Sequence, residues 1–124
     1  GLGAVHAISH PLGAVYNTHH GMTNAVVIPP VLRLNRAVIE DRISHAADYL
    51  GIKGGFDGFF AYVLDLRAAL AVPDTLAGLG IGTERVDELA AMALEDPSCG
   101  GNPVPLTLEN LRQLLLDSIL LKNA

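Results

Sequence analysis

The chain has 124 residues, 50% hydrophobic and 17% charged, with a formal net charge of -5 and a single cysteine. That length makes one domain able to bury a core. The acidic balance, with no basic stripe interleaved with aromatics, excludes a nucleic-acid partner. Cys99 alone excludes an internal disulfide framework and fits a reducing, cytoplasmic compartment. A mean hydropathy of +0.36 is apolar for a free-standing domain and fits one that normally packs on a partner. Residues 1–32 carry no formal charge, yet histidines, prolines and asparagines interrupt them, so neither a membrane span nor a membrane partner is expected. No basic segment precedes an apolar one in the manner of a signal peptide. The start at Gly1 without Met is consistent with a chain trimmed upstream.

Apolar positions recur at three and four along every substantial segment, with no sustained alternation at two, so the class is all-α, a compact helical bundle of about six helices. The first predicted helix, Leu2 to Val15, carries His6 and His10, and the loop Tyr16 to His19 leads to His20. His6, His10, His19 and His20 are four of the chain's five histidines, and Arg33 is its first formally charged residue. His6 and His10 are four apart and share a helical face. Neutral imidazole is a good ligand for iron, zinc or copper. From spacing alone, His6 and His10 read as two ligands of one ion, with His19 or His20 folding back as a third; the bland alternative is histidines that meet nothing. Pro11 lacks an N–H and crowds the carbonyl of Ala7, so the helix is expected to bend there and to aim His10 differently from His6.

A second helix is predicted over Gly21 to Asn35, buried through AVVIPPVLRL and kinked at Pro29-Pro30. A third, Val38 to Leu50, places Ile39, Ile43, Ala46, Ala47 and Leu50 on one face, and His45 reads as a surface or satisfied core histidine. Gly51, Gly54 and Gly55 form the next turn. The segment Asp57 to Ala71 is apolar nearly all round, which predicts a central, buried helix with Phe59 and Phe60 in the core. The GLGIG run at Gly78 to Gly82 lacks the strand-loop-helix context of a dinucleotide fingerprint. Thr83 is the predicted N-cap of a helix from Glu84 to Leu94, followed by a loop from Asp96 to Leu106. Thr107 is expected to cap the last helix, Leu108 to Lys122, with Glu109 and Lys122 suited to its dipole. Its packing face is Leu111, Leu114, Leu115, Ile119 and Leu120.

The stretch HAISHPLGAVYNTHHGMTNAVVIPPVLRLN resembles the helical-domain signature of the iron-containing (group III) alcohol dehydrogenases. His6, His10, Pro11, Gly13, His20, Gly21, Asn24, Pro29 and Asn35 fall where that pattern puts them. The resemblance implies that His6 and His20 bind the metal, Fe(II) or alternatively Zn(II). His10 would then be catalytic, facing the substrate and nicotinamide and moving the proton released as alcohol becomes carbonyl. The family usually has proline where this chain has His19, which reads as an inert surface substitution or a competing ligand. Asn102-Pro103 match a family loop near the substrate pocket. The arginine frequent after that proline is Val104 here, so the loop receives no substrate role.

The resemblance covers the whole chain but only about the C-terminal third of a family member. It implies that an Asp and a His completing the metal site, and an α/β domain binding NAD or NADP, lie upstream of Gly1. Residues 1–124 would then be a single helical metal-binding domain, inactive alone, that belongs to an alcohol dehydrogenase or aldehyde reductase. The expected partners are that upstream domain and a small alcohol or aldehyde; homo-oligomers are common in the family. Two other classes remain open on the sequence: a non-enzymatic helical metal-binding or interaction module using His6, His10 and His20, and a purely structural bundle.

Overall fold

A computed structural model describes residues 2–121, and every regular element in it is helical. The α-helices are α1 (Gly3–Tyr16), α2 (His20–Tyr49), α3 (Gly55–Ala69), α4 (Val86–Glu95) and α5 (Leu108–Leu120). Short 3-10 turns at Leu76–Leu79 and Pro97–Gly101 lie on either side of α4. The chain is therefore all-α, with five α-helices among the described residues rather than about six. No described helix is long and apolar enough to cross a membrane.

The main core brings together α1, the first half of α2, α4 and α5. Ala4, Ala7, Ile8 and Leu12 of α1 meet Val27 and Val31, Leu89 and Ala93, and Leu111 and Leu115, all buried. Small alanines on α1 and α4 let the two backbones approach closely. Each fully buried Leu or Ile adds about 1.5–3 kcal/mol relative to exposure. A smaller cluster, Leu32 and Ile39 with Phe56 and Phe60, joins the second half of α2 to α3. Arg33 and Arg36 close it from outside, each guanidinium lying over a phenyl ring at 4.7 Å and 4.6 Å.

The predicted second and third helices are one helix of 30 residues, running through Pro29-Pro30. Two prolines remove two N–H donors, so the carbonyls four residues earlier, on Ala25 and Val26, lose their helical partners. Arg67 of α3 supplies the replacement: its Nη1 donates to Ala25 O at 3.3 Å and to Val26 O at 3.1 Å. Arg67 as a residue is only 5% exposed, and burial pushes its pKa down. A repair made from another helix is invisible to local propensity.

Four further expectations are corrected. Helix α3 is not central: Phe56, Phe60 and Arg67 are its buried residues, while Tyr62 and Leu66 are exposed, because among the described residues α2 is the helix it packs on. Ala46 and Leu50 lie exposed at the end of α2, whereas Ile39 and Ala47 are buried. Helix α4 starts at Val86, not Glu84; Thr83 does not cap it with its side chain, and the Arg85–Glu88 ion pair, at 2.6 Å, spans the first turn instead. On α5, Leu111, Leu114, Leu115 and Ile119 are buried as expected but Leu120 is exposed.

Thr107 does cap α5, in a reciprocal box with Asn110. Gly51, Gly54 and Gly55 all have positive φ, as their turn requires. His45 is exposed. The expectation for Lys122 lies outside the described residues.

One polar cluster fixes the 102–104 loop. Asn35 Nδ2 donates to Val31 O and Asn102 Oδ1, and Asn102 Nδ2 donates to Asn35 Oδ1 and Val104 O, at 2.7–3.1 Å. The N–H of Ala4 donates to Asn102 Oδ1 at 3.3 Å and that of Val104 to Asn35 Oδ1 at 3.0 Å. Both amides thus use every donor and acceptor they have. The same contact brings the start of α1 against the Pro97–Gly101 turn, where a Cβ on Gly3 would run into Ser98 O.

Candidate metal centre

Helix α1 presents His6 and His10 on one exposed face, and the N-terminus of α2 brings His20 alongside them. The three ring centroids form a triangle, 5.8 Å from His6 to His10, 6.0 Å from His6 to His20 and 5.9 Å from His10 to His20. With Pro11 directly after His10, the His6 and His10 rings lie 5.8 Å apart and are tilted by 31° to each other.

Local sequence explains how the chain reverses between the two helices. Asn17 adopts the left-handed conformation, φ +53°, and returns its N–H to Gly13 O, ending α1. His19 then caps α2: its Nδ1 accepts the Met22 N–H at 3.3 Å. His19 is thus an exposed residue with its ring turned to the backbone, a role that its sequence position did not announce. Ser9 and Asn24 tie the helices laterally, Ser9 Oγ lying 2.5 Å from Asn24 Oδ1.

Among the described residues, His10 is the member of the triangle with a hydrogen-bond partner. Its Nδ1 lies 2.8 Å from Asp96 Oδ2, the imidazole 51% and the carboxylate 12% exposed. Asp96 sits at the N-cap of the Pro97–Gly101 turn, where its Oδ1 accepts the Ser98 N–H at 2.8 Å. Burial works against its ionisation, but the Ser98 N–H and His10 together outweigh that and hold the carboxyl below its ordinary range. Asp96 was read from sequence only as the start of a loop. No local signal marks it, because 86 residues separate it from His10.

Cys99, within this turn, directs its thiol to Ala93 O at 2.8 Å. Burial first, and Asp96 second, push its pKa up, so it is a poor nucleophile. Asn102 is engaged in the buried amide cluster, which explains the Asn-Pro loop structurally. An apolar cleft of about 890 Å³ opens beside His6, lined by Val5, Ile28, Leu32, Phe59 and Val63.

A family model described as the C-terminal part of the Fe-containing alcohol dehydrogenase family matches residues 1–119. The chain belongs to that family. Lactaldehyde reductase of Escherichia coli K12 is 36% identical over 121 residues, covering 92% of this chain and 32% of that protein. The NAD-dependent methanol dehydrogenase of Bacillus methanolicus is 31% identical, covering 96% and 33%. Among solved structures, 1,3-propanediol oxidoreductase superposes with a TM-score of 0.86 at 27% identity, over 94% of this chain and 32% of that one. The iron-containing alcohol dehydrogenase from Corynebacterium glutamicum gives 0.76 at 30% identity, over 94% and 31%. This iron-containing alcohol dehydrogenase domain thus spans about a third of the length of the curated relatives it matches.

The donor chemistry fits a borderline divalent cation, since imidazole accepts iron and zinc alike. It does not complete a site: among the described residues no group of three or more His, Cys, Asp or Glu is arranged to hold one ion.

Proposed function

We propose that this chain is the metal-bearing part of a NAD(P)-dependent alcohol dehydrogenase or aldehyde reductase, with His6 and His20 as two of the metal's ligands and His10 as the proton-transfer group. The observation that carries this reading is the exposed triangle of imidazoles, set in a domain of this family. Two exposed imidazoles, with no group of three or more ligating side chains around them among the described residues, support donors from elsewhere in a longer polypeptide. The share of each relative that the chain covers supports the same division of labour.

Fe(II), or Zn(II), would supply at this place a Lewis acid that polarises the alcohol or carbonyl oxygen. The chain's own residues do the rest. His6 and His20, fixed on two helices whose spacing Ser9 and Asn24 set, orient their rings together. His10 takes up the hydroxyl proton as the alcohol is oxidised and returns it as an aldehyde is reduced. NAD(P), held by an upstream nucleotide-binding domain, would supply the hydride acceptor for alcohol oxidation and the donor for aldehyde reduction. That domain would also cover the apolar cleft, whose wall continues into Leu66 and Leu70, 46% and 64% exposed. Alone, residues 1–124 would be inactive.

The test uses the complete polypeptide. His6→Ala and His20→Ala are expected to lose the metal, measured by elemental analysis, whereas His10→Ala retains it and turns over at least about tenfold more slowly. Full metal occupancy in both ligand variants removes the assignment.

A further inference from the structure

We propose that Asp96 is a positioning residue for His10, holding its imidazole as the Nδ1–H tautomer so that Nε2 carries the lone pair for the substrate proton. The inference rests on the proton role given to His10 above and adds the group that makes it effective. Its observation is the 2.8 Å contact between His10 Nδ1 and Asp96 Oδ2. An ionised carboxylate only accepts hydrogen bonds, so the proton in this contact belongs to Nδ1. The Nε2 lone pair then remains, and the imidazolium formed on proton uptake stays paired with the carboxylate.

The carboxylate is placed for this task by more than its partner. Its second oxygen is held by the Ser98 N–H at 2.8 Å, and Pro97 restricts the backbone that follows. The turn itself is locked to α1 by Asn102, which receives the Ala4 N–H, and by the close approach of Gly3 to Ser98 O. Asp96 and His10 are therefore fixed to the same rigid frame from both sides. A stability role does not account for the pair. An ion pair with one member half exposed contributes about 0–1 kcal/mol, and the turn keeps its cap through the other carboxylate oxygen.

In the complete polypeptide, Asp96→Asn keeps an oxygen for the Ser98 N–H but turns an amide N–H toward His10 Nδ1, forcing the proton to Nε2. The expected result is a fall in kcat of at least about tenfold with KM and metal content unchanged, and less than about a twofold further loss when Asp96→Asn is added to His10→Ala. An unchanged kcat in Asp96→Asn, or an equal loss in the His10→Ala background, overturns the positioning role while leaving the proton role of His10 standing. Full turnover in His10→Ala overturns both. Ring-nitrogen NMR of the zinc-loaded parent protein supplies a check independent of any variant. The Nδ1–H form is expected at His10, and the Nε2–H form would overturn the inference.

Discussion

The Asn35–Asn102 pair and the His6–His10–His20 triangle are both polar groups assembled from distant parts of the chain, and they differ in how completely they are satisfied. The two asparagines are buried and every donor and acceptor of both amides is used. The three histidines are exposed, and among the described residues only His10 has a hydrogen-bond partner. Saturated valence marks scaffold; open valence marks a place left for something outside the chain. Arg67 shares the scaffold role, since its Nη1 closes carbonyls that two prolines leave bare, but its buried Nε has no hydrogen-bond partner among the described residues.

That contrast can be broken most forcefully at Asn102. Replacing it with Ala strands the Ala4 N–H and takes one of two partners from each end of the Asn35 amide, so a loss of about 3–4 kcal/mol is expected in chemical denaturation of the complete protein. A change under about 0.5 kcal/mol would mean that water or a shifted loop satisfies those groups. Arg67→Met leaves the Ala25 and Val26 carbonyls without donors and is expected to cost about 2–3 kcal/mol by the same assay. A neutral outcome would show that the kept methylene stem, not the guanidinium, is what holds α2 to α3.

The histidines sharpen the comparison from the other side. In metal-stripped protein His6→Ala and His20→Ala are each expected to shift stability by no more than about 0.5 kcal/mol, because neither ring is buried. A loss comparable to that of Asn102→Ala would move them into the scaffold. The smallest effect concerns acid. Asp96 ionises below its ordinary range in the folded protein, so its contribution is full above that range and is lost as pH falls through the depressed value. Denaturation midpoints are expected to fall below about pH 4, and Asp96→Asn to remove part of that fall. Identical acid sensitivity in both proteins would contradict the linkage.

His6 and His10 were legible locally, since they share a face by their spacing, whereas spacing left His19 and His20 both open and the family resemblance alone singled out His20. The helical class was legible from the same periodicity, and the Thr107 cap from a single residue type. What stayed hidden was supplied from far along the chain. The boundary predicted between Asn35 and Val38 is absent from α2, and at Pro29-Pro30 the donor for the carbonyls left bare arrives from 41 and 42 residues away. The partner of His10 comes from 86 residues away. Helix α3 was read as central because an all-round apolar pattern reports how much surface wants cover, not which faces this chain can provide. The cap made by His19 went unread for a different reason: a histidine is an uncommon N-cap, and its ring nitrogen does there what a Ser or Asp oxygen usually does.

The donor that Arg67 lends to α2 also sets an order of events. Without α3 docked, the Ala25 and Val26 carbonyls have no donor from Arg67, and only the first half of α2 is held by the main core. Continuity of the longest helix is therefore conditional on its neighbour. When α3 lifts away in a native-state fluctuation, the junction loses both replacement bonds at once. Amide exchange on α3 and in the α2 turns beyond Pro30 is therefore expected to follow one shared opening.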